Sequence, residues 1–316
     1  MIAAEKKLIE SIRRLANQSR NPAVSRGIGD DCAIMRISPG HELLVTTDFS
    51  IENVHFRRQW HPPRSVGHRC LARGLSDIAA MGGEPLACFL SLGLPPKLPQ
   101  RWADDFLRGL AALARRFGVQ LAGGDTSAAH EITADIIVLG QVPRGRAVLR
   151  SGARPGDVIY ATGELGGSTA TLKQLLAGVK IRPVPGSRHF FPEPRLRAGA
   201  WLRKRRLATA MIDLSDGLSI DLGHICDESG VSAMVDSRKL PVARGATLEL
   251  ALHGAEDYEL LFTAPAKAKI PATIDGVKIT PIGSITKKDY RAAIRILDEN
   301  GRAHALRPLG WQHFRP

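Results

Sequence analysis

The feature that most constrains the fold of this chain is an alternation between two hydrophobic periods. ELLVTTDFS (42–50), PLACFLSLGLP (85–95) and ITADIIVLGQV (132–142) are short apolar runs that read as strands. Between them, RSVGHRCLARGLSDIAAMGG (64–83) places Val66, Cys70, Leu75, Ile78 and Met81 at helical spacing, and PQRWADDFLRGLAALARRFG (99–118) is a second amphipathic helix. Glycines close both helices, Gly82-Gly83 and Gly118. VQLAGGDTS (119–127) follows as a short strand expected to stop on Gly123-Gly124-Asp125. A chain that switches repeatedly from period 3.6 to period 2 builds sheets covered by helices rather than a bundle or sandwich, so the expected class is α/β (α+β).

At 316 residues the chain exceeds one typical core and suits two domains. Around residues 144–157 the composition turns rich in Gly, Pro and Arg (PRGRAVLRSGARPGD), which sets the expected domains at 1–145 and 146–316. Past it, DVIYATG reads as a strand, STATLKQLLAG as a helix, and ATAMIDLSDGL as a strand running straight into the helix SIDLGHICDESG. Strands around 231–236, 258–263 and 277–283 complete the second half. The Pro- and Arg-rich stretch 181–206 is expected to be an exposed excursion, and the arginines at 57–58 and 195–206 receive no role.

The chain carries 44 Lys+Arg against 31 Asp+Glu, a net charge of +13, which implies anionic partners. Nucleic-acid binding would need basic residues interleaved with aromatics, but aromatics make up 5% and the Arg-rich stretches lack that pattern. The expectation is therefore no nucleic acid. The N-terminal helix, with Leu8, Ile12 and Leu15 on one face, has no apolar signal core, and no run of eighteen apolar residues occurs, so no membrane is expected either. Cys32, Cys70, Cys88 and Cys226 are scattered without metal-finger spacing, which suits reduced thiols in the cytoplasm.

Against this basic background, short carboxylates gather at strand ends. Asp30 and Asp31 sit side by side in GIGDD, Asp48 ends one strand, Asp125 another, and Asp213 and Asp216 lie where a strand meets a helix. Ligand sites in α/β sheets collect at such ends, and hard oxygen donors there are what Mg²⁺ requires. Asp216 reads equally as a helix N-cap, and Asp77, inside an apolar helix, as the partner of Arg73 one turn earlier. The joint occurrence favours several Mg²⁺ ions, and a nucleotide phosphate is what they usually hold. No P-loop, kinase catalytic loop or complete dinucleotide fingerprint is present. The turns AGGDTS and TGELGGS offer backbone N–H groups to phosphate oxygens.

Taken in order, GIGDDCA, TTDFSIENVHF, LARGLSDIAAMGG, LAGGDTS, LRSGARPGD, MIDLSDGLSIDLGHI, GAEDYELLFT and the terminal GWQHF resemble the thiamine-monophosphate kinase family. The wider superfamily of aminoimidazole ribonucleotide synthetase, selenophosphate synthetase and a hydrogenase maturation factor shares part of the pattern. One departure is Lys6 in EKKLIE, where the family carries an aromatic.

The resemblance implies an N-terminal sheet pairing across a homodimer two-fold and a C-terminal α/β domain, with ATP and several Mg²⁺ in the cleft between domains. It implies that Asp31, Thr46, Thr47, Asp48, Asp77, Asp125, Asp213 and Asp216 hold magnesium, with Asp48, Asp125 and Asp213 at the catalytic centre. Gly124, Asp125, Arg150 and Ser215 would contact ATP, and Phe117 would flank its adenine. His55, Glu256 and Trp311 would contact thiamine monophosphate. His55 reads alternatively as a capping loop histidine, Trp311 as a tail anchor and Arg150 as a solvated arginine. A related ATP-using enzyme such as the purine-pathway cyclo-ligase is the alternative activity.

Overall fold

The computed structural model describes residues 5–312, with side chains from residue 8 onward. The Lys6 side chain and His313 and Phe314 of the terminal motif lie outside the described residues. The chain divides into two units. The first takes the residues up to Ile78, Gly83–Gly145 and Ile181–Glu193, and the second takes Ala79–Gly82, Arg146–Lys180 and the chain from Pro194 onward.

The first unit runs α1 (Glu5–Ala16), β1 (Val24–Arg26), β2 (Ile34–Met35), β3 (His41–Ile51), α2 (Pro63–Ala80), β4 (Glu84–Leu94), α3 (Gln100–Phe117), β5 (Gln120–Ala128) and β6 (Thr133–Pro143). Its four-stranded sheet has the order β3-β6-β4-β5, with β4 and β5 parallel and α3 as their crossover. Trp102, Phe106, Leu110 and Leu113 form the buried face of α3, and Gly118 ends the helix at φ 66°, returning its amide to the Ala114 and Arg115 carbonyls. β5 does not stop at Gly123-Gly124-Asp125 as expected. Gly124 has φ 144°, and a Cβ there would lie 1.9 Å from the Leu90 carbonyl oxygen, so glycine lets the ladder with β4 continue to Ala128.

The alternation of β3 sorts its residues between two faces. Thr46 and Asp48 take the side covered by α2, while Leu43, Val45, Thr47 and Phe49 point outward. Val45 is 61% and Phe49 55% exposed, and the register continues this apolar row onto Ile137, Leu139 and Phe89.

The second unit contains β7 (Asp157–Thr162), α4 (Gly167–Leu176), α5 (Leu196–Lys204), β8 (Ala210–Asp213), α6 (Leu218–Ser229), β9 (Ser232–Asp236), α7 (Leu248–His253), β10 (Leu260–Pro265), β11 (Thr273–Ile274), β12 (Val277–Thr286), β13 (Ile294–Leu297) and β14 (Ala303–Ala305). The sheet order is β14-β13-β9-β12-β7-β10-β8, with β11 on β12, and only β13–β9 is parallel among these pairs. Ile159, Ile212, Leu222, Ile225, Val235, Leu261 and Ile282 lie in its core. The fold is thus the mixed α/β class expected.

The stretch 181–206 is exposed only in part: 181–188 and 204–206 are open or half-buried, whereas 189–203 packs inward. Phe190 is fully buried, His61 Nε2 and His189 Nε2 lie 3.2 Å apart, and His68 Nε2 donates to the Pro192 carbonyl at 2.8 Å. Leu196, Ala198 and Leu202 are buried on α5. The surplus arginines also have structural work. Arg195 pairs with buried Glu259 at 2.5 Å, Arg203 Nε donates to the Gly82 carbonyl at 2.6 Å, and the Arg57 guanidinium lies 4.7 Å from the Trp60 ring centre. Three cysteines are buried, and desolvation pushes the Cys70 and Cys226 thiols up to about 12. No helix among the described residues is long and apolar enough to cross a membrane.

Helices α2 and α3 meet through two glycines. A Cβ on Gly67 would lie 1.9 Å from the Phe106 carbonyl oxygen, and one on Gly109 would lie 2.0 Å from that of Arg64. Gly109→Ala should therefore destabilise the fold by about 1–3 kcal/mol, read as a lower urea midpoint with unchanged m-value. An unchanged midpoint would show that the helices can part without cost.

Candidate active site

In the second unit, β8 carries Ala210-Met211-Ile212-Asp213, all buried, and ends in the turn Leu214-Ser215-Asp216-Gly217 before α6. The segment 254–259 is pinned to this turn by peptide hydrogen bonds. Glu256 N–H donates to Ser215 O at 2.8 Å, Tyr258 N–H to Leu214 O at 2.9 Å, and Leu214 N–H to Glu259 O at 2.8 Å. Trp311 N–H donates to Asp216 O at 2.9 Å, and Gly310 is wedged so closely that a Cβ would lie 2.2 Å from that same oxygen. Five predicted residues from three distant stretches (Asp213, Ser215, Asp216, Glu256 and Trp311) thus meet around one strand end.

The geometry bears on several open readings. Gly217, not Asp216, is the N-cap of α6, with no side-chain cap bond. Asp216 therefore stands one residue before the N-cap. The Trp311 side chain is 43% exposed, which does not suit a buried tail anchor. Arg150 is exposed, and its carbonyl accepts the Ser229 hydroxyl at 3.1 Å.

A residue the sequence reading passed over lies in the same place. Asp221 is buried on α6, and its Oδ2 accepts the amides of Asp216 at 3.1 Å and Gly217 at 3.0 Å. Burial, and then the charges of Asp213 and Asp216, hold its carboxyl well above the usual carboxylate range. The signal was present in SIDLGHI: a mid-helix Asp among apolar residues, the same feature that singled out Asp77.

The first unit holds the other predicted residues. Thr46 Oγ1 donates to Asp77, so the mid-helix carboxylate does meet the strand. Arg73 Nη1 donates to the Phe49 carbonyl at 2.7 Å. Thr47 faces the other way and donates to Asp135 at 2.6 Å. The register carries Asp135 on to Ser91 and Ser91 on to Asp125, the face opposite Asp48. Asp30 is ion-paired with Arg26 at 2.8 Å, and Asp31 is exposed beside it. His55 Nδ1 accepts the Ile51 amide at 3.0 Å, in keeping with its capping reading. Phe117 is half-buried with the Arg116 guanidinium 5.3 Å from its ring centre.

The turn TGELGGS does not offer its amides as expected. The Gly163 amide goes to Lys278 O, that of Leu165 to Pro241 O, and those of Gly166 and Ser168 to the Asp257 carboxylate. Among the described residues no three His, Cys, Asp or Glu side chains are gathered as a metal cluster. The donor chemistry nevertheless fits a hard cation: every candidate is an oxygen, and buried Asp213 and Asp221 lie within electrostatic reach of each other and of Asp216.

Residues 29–142 match the AIR synthase related protein N-terminal domain, and residues 154–295 match the corresponding C-terminal domain. Together they define the class of protein. Thiamine-monophosphate kinase of Salmonella typhimurium is 39% identical over 83% of this chain and 85% of its own length. That of Escherichia coli K12 is 37% identical over 92% of each chain. Among solved structures, the thiamine-monophosphate kinase of Stenotrophomonas maltophilia has a TM-score of 0.82 at 32% identity, covering 96% of this chain and 99% of that one. AaThiL complexed with AMPPCP and TMP has a TM-score of 0.77 at 31% identity, over 98% and 97%. The chain belongs to the thiamine-monophosphate kinase family of AIR synthase related proteins.

The crowding of Asp213, Asp216 and Asp221 has a measurable consequence. In chelator at neutral pH, Asp221→Asn should raise stability by about 1 kcal/mol, a shift of about 2–4 °C in Tm, because the amide oxygen still accepts both N–H groups while a carboxyl whose ionisation the fold opposes is gone. A lower Tm for this variant would show that the carboxylates are not in mutual repulsion.

Proposed function

We propose that the protein phosphorylates thiamine monophosphate to thiamine diphosphate with ATP as phosphoryl donor, a step of thiamine diphosphate biosynthesis. The observation that carries this reading is the meeting of Asp213, Ser215, Asp216, Glu256 and Trp311 around the end of β8. Relatives over most of the chain bear this activity in their names, and AaThiL is complexed with AMPPCP and TMP.

The acceptor is a phosphate monoester that is already ionised. Its oxygen attacks the γ-phosphorus, the O–Pγ bond to the new acceptor forms, and the bond from Pγ to the β,γ-bridging oxygen breaks, releasing ADP. No strong general base is required. Glu256 balances the cationic thiazolium or accepts from the aminopyrimidine, and Trp311 presents its ring to the cation. Ser215, Arg150 and Gly124 take ATP, Phe117 flanks the adenine, and His55 positions the substrate. Asp31, Thr46, Asp48 and Asp77 form one set of oxygen donors for Mg²⁺, and Asp213 and Asp216 form another; Asp125 is a separate donor on the opposite face of the sheet, where Thr47 is engaged by Asp135. When bound, Mg²⁺ offsets the repulsion between the two anionic reactants.

The test measures ADP release with and without thiamine monophosphate and Mg²⁺. Asp48→Asn and Asp213→Asn should each lower kcat by about 10²-fold or more with the fold intact. His55→Asn should raise KM for thiamine monophosphate while lowering saturated kcat far less than the about 10²–10⁴-fold that loss of a general base costs. Thiamine itself should not react. Rapid turnover of thiamine, or a purine-pathway intermediate as the preferred substrate, would overturn the reading.

We also read residues 1–145 as the dimerisation domain and 146–316 as the C-terminal α/β domain of a cytoplasmic homodimer. The outward apolar row of Leu43, Val45 and Phe49 suits a second copy of the sheet. Val45→Glu should shift the protein from dimer to monomer in sedimentation equilibrium. A wild-type monomer, or an unaffected dimer, would show that this face is not the interface.

A further inference from the structure

The loop 254–259 contains a carboxylate that the proposed chemistry does not use. Asp257 is buried, and its Oδ2 accepts the Gly166 amide at 2.5 Å while Oδ1 accepts that of Ser168 at 3.2 Å. Gly166 is the N-cap of α4 and Ser168 lies in its first turn, so Asp257 caps a helix far from it in sequence. A carboxylate receiving two N–H groups at a helix N-terminus is held by charge-assisted bonds and by the helix dipole.

Its neighbours are in an unusual state. Glu256 has φ 65° and Tyr258 φ 52°, left-handed conformations that residues with side chains keep only when their surroundings enforce them. Asp257 is the residue between them. The helix start it grips is itself immobilised: Gly166 has φ 82°, and a Cβ on it would lie 2.7 Å from the Ala251 amide nitrogen. On the far side, Glu259 is fixed by Thr162 at 2.6 Å and by the two-pronged Arg195. The backbone that carries Glu256 is therefore anchored one residue away.

We propose that Asp257 is a positioning residue for the substrate: by capping α4 it locks Glu256 in the left-handed conformation that presents its carboxylate to thiamine monophosphate. This rests on the kinase reading above. Asparagine at 257 offers one acceptor oxygen in place of two and turns an N–H toward an N–H. Serine keeps one small acceptor, as at ordinary N-caps.

The test is steady-state kinetics of Asp257→Asn, Asp257→Ser and Asp257→Ala. The KM for thiamine monophosphate should rise about tenfold in Asn, least in Ser and most in Ala, with kcat and the KM for ATP within about twofold of wild type. A cap with only a structural role would lower Tm and the active fraction, hence kcat, and leave that KM alone; such a result overturns the proposal. Should the variants not fold, wild-type amide exchange decides. Thiamine monophosphate should slow exchange at Gly166 and Ser168, since coupling between the two places is reciprocal, and unchanged exchange overturns the proposal. A wild-type protein that leaves thiamine monophosphate unphosphorylated overturns the function, whereas an active wild type with an insensitive Asp257 overturns only the positioning role.

Discussion

The short peptide ladder between the end of β8 and the segment 256–260 supports the cluster of candidate residues at the end of β8 in the second unit. Asp213 pairs with Leu260 in register, and three further amide-to-carbonyl bonds continue the pairing into the turn. β8 is an edge strand whose sheet neighbour is β10, so without this ladder its last residues would have no strand beside them. With it, Ser215 and Asp216 are delivered beside Glu256, and the last described residues attach through Trp311 to the Asp216 carbonyl. The pair between part-buried Arg195 and fully buried Glu259 locks the same ladder. Removing one partner would strand the other charge in a dry site, which costs far more than the pair itself contributes.

Electrostatics gives the structure its second theme. The chain is basic overall, yet its interior carboxylates crowd where they disfavour one another's ionisation, as Asp221 shows beside Asp213 and Asp216. Such an arrangement is costly for a bare protein and suits a cation. The site offers oxygen donors and few bases. That balance matches a reaction whose acceptor arrives ionised, because the obstacle is charge repulsion rather than proton removal. In the first unit the donors are distributed by strand alternation: Thr46 joins Asp77 on one face while Thr47 joins Asp135 on the other.

Much of this was legible in the amino-acid order. The strands at 42–50, 85–95 and 132–142, the helices ending at Gly82 and Gly118, and the strand-to-helix passage at Asp213 all follow from local rules of period and termination. The family was readable too, because its motifs recur in order across nearly the whole chain. The segment 181–206 misled because Pro and Arg report local polarity, whereas Phe190 and Leu202 are buried by contacts distant in sequence. TGELGGS misled because glycine spacing shows where amides are available and cannot show that Asp257 already occupies them.

The sequence by itself determined the alternation of elements, the location of the carboxylates at strand ends and the chemistry those residue types allow, since each depends on residues close together in the chain. Only the tertiary structure decided that Asp216 is not the cap of α6, that Asp221 joins Asp213 and Asp216, and that Asp257 and Arg195 hold the loop bearing Glu256. Those outcomes depend on burial and on hydrogen bonds between residues tens of positions apart, and no local period or motif encodes which distant amide a buried carboxylate will find.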